Sequence, residues 1–159
     1  MKNVAVTLFL VVLLASCSSQ RTRASSIECS WKGEPVIFSK EYTSPIQLPP
    51  GSELFTVQTA DVEEAELLLR EKRELINSEN NHLSNNEEDK YKCYSRQYLG
   101  YVSITGEKFV IINLLNITAD NKQRFEGWQK RFFVGFGDFY ERNTIRYVAN
   151  ISDGVISFL

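Results

Sequence analysis

Nucleophilic catalysis requires a base held beside the nucleophile, and histidine is the usual one. The chain has a single histidine, His82, inside the polar run NSENNHLSNNEED. With almost nothing apolar around it to fix the ring, it is not expected to act as a general base. Within the same run Glu87, Glu88 and Asp89 lack the alternating ligand spacing of a calcium loop and read as a solvated charge cluster. Asp138 and Glu141, in GDFYERN, are a carboxylate pair between predicted strands, where the acid and base of a glycoside hydrolase could stand. The competing reading makes them turn formers and surface charge. Lys122 to Phe133, KQRFEGWQKRFF, interleaves cations with rings as sugar-binding, membrane-surface and single-strand-binding segments do. Its Phe125, Trp128 and Phe132 recur at helical spacing, however, which favours core packing.

The three cysteines divide into one and two. Lys2, an apolar run from Val4 to Leu14, and small residues after it have the layout of a secretory signal peptide. The run is shorter than the about 20 apolar residues a membrane helix needs. The tetrapeptide LASC, ending at Cys17, resembles the lipobox of bacterial lipoproteins. That resemblance implies removal of residues 1–16, diacylglycerol on the Cys17 thiol and an acylated new amino group. Two or three chains hold a protein at a bilayer where one binds reversibly. With Ser18 and not Asp after the cysteine, it further implies an outer-membrane destination in the bacterial cell envelope. Cys29 and Cys93 are then left as a pair, expected to be bonded in an oxidising compartment. A bridge closing so long a loop stabilises a fold by about 4 kcal/mol in the chain-entropy model. One histidine and an oxidised pair leave too few ligands for a transition metal, so no metal is expected. No cofactor is expected either.

Residues 17–26 are small and polar and read as a tether reaching roughly 20 Å; residues 27–159 are expected to form a single domain. Ten Phe, seven Tyr and two Trp give it enough apolar surface for a core. Residues 61–90 carry ten acids against four bases, and residues 91–159 nine bases against six acids. Neither half forms the dense cationic face of a duplex-binding protein, so nucleic acid is not an expected partner.

Short strands are predicted at EPVIFS and ELFTVQT, with proline-rich SPIQLPPGSE between them kept out of any central ladder. Asp61 is expected to cap a helix over about 61–77, with Glu64 completing a capping box. Val62, Ala65, Leu68, Leu69, Leu75 and Ile76 share one face of it, and Glu66 can pair with Arg70. Strands follow at KCYSRQYLGYVSIT, FVIINLL, RFFVGF, TIRYVANI and GVISF, with turns at TGEK and Ser152-Asp153-Gly154. FVIINLL is apolar throughout and is expected to be covered on both faces. The fold class is α+β: one amphipathic helix packed on an antiparallel sheet of four or five strands.

Around YSRQYLGYVSITGEKFVIIN the chain resembles a group of small, functionally uncharacterised bacterial lipoproteins and secreted proteins. Tyr94, Arg96, Gln97, Tyr98, Gly100, Ile112, Asn113 and Trp128 carry the likeness, over roughly residues 55–159. The resemblance implies export and an α+β domain and supplies no activity. Arg96, between tyrosines, could recognise a carboxylate or phosphate, or pair with an acid from the helix. The leading expectation is a non-enzymatic envelope lipoprotein whose domain binds a protein or glycan partner, with Arg96, Tyr98 and Trp128 as candidate contacts. The alternatives are a hydrolase acting through Asp138, Glu141 or both, with Arg96 positioning an anionic group, and a structural subunit of an envelope complex.

Overall fold

The computed structural model describes residues 34–79 and 93–159. The chain runs β1 (Val36–Ile37), β2 (Glu53–Phe55), α1 (Thr59–Glu79), β3 (Ser95–Val102), β4 (Lys108–Leu115), a 3-10 turn (Lys122–Phe125), α2 (Asp138–Asn143), β5 (Thr144–Asn150) and β6 (Val155–Phe158). It is an α+β domain, one main helix against one sheet of order β1-β3-β4-β5-β6, with β2 also paired to β3. Among the described residues no helix is long and apolar enough to cross a membrane.

The sheet is mixed, not wholly antiparallel as expected. β1 pairs parallel with the first half of β3, Val36 opposite Gln97, and β2 pairs antiparallel with its second half, Leu54 opposite Tyr101. The chain between them must reverse, and it does so through Pro45, Pro49 and Pro50, which have no N–H to give a ladder. Ser52 N donates to Pro49 O at 3.1 Å to close the turn. The hairpins β3–β4 and β5–β6 are antiparallel and turn where the sequence put them, and β4 pairs antiparallel with β5 directly, with no strand from RFFVGF between them.

Alternation along the strands sorts the core into two faces. Tyr98, Val110, Ile112, Leu114, Tyr147 and Ala149 pack with Ala65, Leu68 and Leu69 of α1. Leu99, Tyr101 and Ile111 point the other way, onto Phe38 and Phe132. β4 is therefore covered on both sides, as its unbroken apolar run implies. Leu75 and Ile76 lie outside the described side chains.

Helix α1 starts two residues earlier than expected and ends two later, so Asp61 is not its cap. It stands in the first turn, where its Oδ2 accepts from Gln58 N at 2.8 Å while Val62 N donates to Gln58 O at 3.0 Å. Gln58 occupies the capping position, and Asp61 supplies the acidic half of the capping box that was assigned to Glu64. Glu66 turns to the sheet and not to Arg70. RFFVGF is no strand: residues 132–136 are irregular chain laid across the face opposite α1. Phe125, Trp128 and Phe132 are buried as core packing requires, yet only Phe125 belongs to a helical turn, and Phe132 joins a different cluster from the other two.

Candidate functional site

Arg96 and Tyr98 project from β3 toward α1 and meet on one carboxylate. Arg96 Nε donates to Glu66 Oε1 at 2.9 Å, and Tyr98 Oη donates to the same oxygen at 2.7 Å. Arg96 Nη1 also donates to Tyr94 O at 2.8 Å. The ion pair lies partly out of solvent, and burial, reinforced by the Glu66 charge, pushes the Tyr98 phenol far above its ordinary pKa. Of the two readings of Arg96, pairing with an acid from the helix is the one realised. Tyr98 and Trp128 are 2% and 5% exposed. Neither presents a contact surface, which corrects their place among the candidate binding residues.

The opposite face of β3 holds an arrangement that sequence reasoning missed. Gln97 and Asn113 are register partners, fully buried amid apolar side chains, and Asn113 Nδ2 donates to Gln97 Oε1 at 2.8 Å. A buried amide is tolerated only when its donors and acceptors are matched. These two satisfy themselves by gripping the backbone that crosses them. Gln97 Nε2 donates to Trp128 O and to Arg131 O, Phe133 N donates to Gln97 Oε1, and Asn113 Nδ2 reaches Phe133 O. Their bonds replace the ladder that a strand at RFFVGF would have had. A lone Asn inside FVIINLL was the available signal.

The segment so held forms one wall of a surface cleft of about 500 Å³ lined by Tyr42, Arg131, Phe132, Phe133, Phe136 and Tyr140 among others. Tyr42 Oη accepts from Phe132 N at 2.7 Å, tying the distant β1–β2 connection to it. Tyr140 packs so closely on Gly135 that a Cβ there would lie 2.2 Å from the ring. Phe136, next along the chain, is 86% exposed. Arg131 is exposed at the rim, its guanidinium over the Phe133 ring and donating to Glu126 O at 3.0 Å. The cleft offers ring faces for stacking, one cation for an acceptor, and walls fixed from beneath. In the sequence only Gly-Phe-Gly hinted at it; Tyr42 lies too far along the chain to have been associated with it.

Asp138 and Glu141 are both exposed in the first turn of α2, and neither lines this cleft. Acids there suit the positive end of the helix. Arg96, at the helix-facing side of β3, is absent from that lining too, so the three side chains of the hydrolase reading are not united by it. Cys93 is disulfide-bonded. Cys17, Cys29 and His82, with the segments expected to be signal peptide and tether, lie outside the described residues. Compared with protein-family models, curated proteins and solved structures, the chain has no match in any of the three. The likeness to small bacterial lipoproteins accordingly rests on its motif alone.

Proposed function

We propose that the protein is a lipid-anchored module of the bacterial cell envelope, held through Cys17 at the outer membrane, that binds a protein or glycan partner without chemical turnover. The lipobox and tether motivate the anchor, and pairing of Cys29 with Cys93 belongs to the same exported state. One observation carries the binding role: the cleft with Phe136 almost fully exposed at its mouth. A single ring in water is ordinary on a protein surface, but this one continues the ring-lined wall made by Tyr42, Phe133 and Tyr140, and rings grouped at one cleft are the mark of a contact surface. Tyr42 and Tyr140 supply further ring faces and Arg131 a charge, so the contact surface is this cleft in place of Tyr98 and Trp128.

The test is co-purification from membranes with the anchor intact. A partner recovered with the native chain and lost with Phe136→Ala supports the assignment, since that side chain is exposed and its removal leaves the packing untouched. Equal recovery with Phe136→Ala overturns the surface. Palmitate labelling unchanged in Cys17→Ala overturns the anchor.

A further inference from the structure

A second cleft, sharing no residue with the first, lies where the Pro49–Pro50 turn crosses the sheet. Its volume is about 380 Å³, and Ile46, Leu48, Tyr101, Ile111, Val148 and Leu159 make most of its wall. Small-molecule sites run from about 300 to 1,000 Å³, so it can hold a small ligand or one tail. Gln47 is the one amide in the lining and no charged side chain is among it. Such a wall rewards a hydrocarbon.

The nearest cation along the strands is Arg146, outside that lining but next to two residues of it. Arg146 lies on β5 two positions before Val148, which puts both side chains on the same face about 7 Å apart along the strand. Leu159 is beside it, its N donating to Arg146 O at 3.1 Å. Arg146 Nε donates to Asn113 Oδ1 at 3.3 Å, which leaves the two outer nitrogens of the guanidinium fork directed away from that bond. Among the described residues the ion pairs are Arg96–Glu66 and Lys108–Asp61, and Arg146 has no carboxylate partner. Burial lowers its pKa from the ordinary arginine value, in keeping with a charge that is partly desolvated and uncompensated.

We propose that this cleft binds a free medium-chain monocarboxylate, the hydrocarbon tail lying along Tyr101, Ile111 and Val148 and the carboxylate on the outer nitrogens of Arg146. The fork matches a carboxylate in a bidentate way, and the missing counter-charge is the one the ligand brings. A two-tailed phospholipid exceeds the volume, and an acyl chain in amide linkage lacks the anion.

The full chain in phosphatidylcholine nanodiscs, titrated separately with decanoate and decanol each labelled at carbon 1 and read by that carbon's resonance against empty nanodiscs, tests this. Decanoate is expected to bind about tenfold or more tightly than decanol, because only the acid meets the cation. Affinity among shorter acids should rise about fourfold per methylene until the cleft is filled. Arg146→Gln brings decanoate down to the alcohol, and Val148→Phe, which occupies the cleft, removes both. Equal binding of decanoate and decanol to the native chain, or no binding of either above empty nanodiscs, overturns the proposal. That comparison needs no variant and holds even if Arg146→Gln fails to fold.

Discussion

Gln97 and Asn113 stand opposite each other on β3 and β4 with their amides 2.8 Å apart, and between them they fasten the chain from Trp128 to Phe133 to the sheet. Asn113 Oδ1 passes the network on to Arg146 at 3.3 Å, so three neighbouring strands contribute one polar row on a largely apolar face. The row anchors the wall carrying Phe133 and Phe136, and it holds the guanidinium of Arg146, two positions from Val148 on β5.

Replacing Gln97 by Leu is therefore expected to cost more than its similar volume suggests. Trp128 O, Arg131 O, Phe133 N and an Asn113 donor would lose their partner together in a buried site, where each unsatisfied group costs about 1–3 kcal/mol before relaxation. The expected loss is about 3 kcal/mol or more in urea unfolding, with the Phe133 amide exchanging faster with solvent. An unchanged midpoint would mean that the network contributes nothing to stability.

The same row explains what could be read in advance. Strand positions, the helix, the turns at 104–106 and 152–154, and the double cover of β4 all follow from apolar period and turn chemistry, which are local. Gln58 took the capping place expected of Asp61, and Asp61 the place expected of Glu64, because a helix start depends on where the preceding strand releases the chain. RFFVGF reads as a strand by composition, and only the tertiary competition of two buried amides for its backbone makes it otherwise. In the Arg-Gln-Tyr motif the residue of least apparent interest, Gln97, turned out to organise the face, while Arg96 and Tyr98 serve as a staple to Glu66. The cleft was illegible because Tyr42 and Phe136 belong to loops brought together by that organisation.

Tyr98 predicts the response to alkali. Its phenol is held protonated by burial and by Glu66, so its folded pKa lies above the usual value of 10.0. A raised pKa contributes stability that is complete below the unfolded value and is lost as pH rises beyond it toward the folded one. Stability should therefore fall above about pH 10 with a slope that Tyr98→Phe reduces. Urea unfolding at pH 8, 10 and 11 of both proteins measures it; parallel profiles would show that Tyr98 ionises alike in the two states.

Gly100 is needed for space. A Cβ there would lie 2.6 Å from Val57 Cγ2 and 2.7 Å from the Phe55 ring, both packed on β3 from the helix side. Gly100→Ala forces that connection outward, and overpacking of this kind costs about 1–3 kcal/mol. The companion change Val57→Ala in the same chain should recover part of the loss, because the two sites share the contact. No recovery in thermal unfolding of the double variant would place the strain elsewhere.

Cys93 precedes β3 by two residues, so whatever it is bonded to is held at the N-terminal end of that strand, beside the parallel pairing of Val36 with Gln97. Cys29, seven residues before Val36, is the partner we infer, on the proposal that Cys17 carries lipid. β1 is only two residues long, too short to secure itself by ladder bonds alone, and a bridge at its head would hold it in register. Cys29→Ser is thus expected to lower stability by about 4 kcal/mol in the chain-entropy model. Exchange should rise first at Phe38 N, which donates to Tyr98 O at 3.0 Å next to the pairing. Peptide mapping without reductant gives the direct reading: a fragment joining Cys29 to Cys93 is expected, and one joining Cys17 to Cys93 would remove both this bridge and the lipid anchor together.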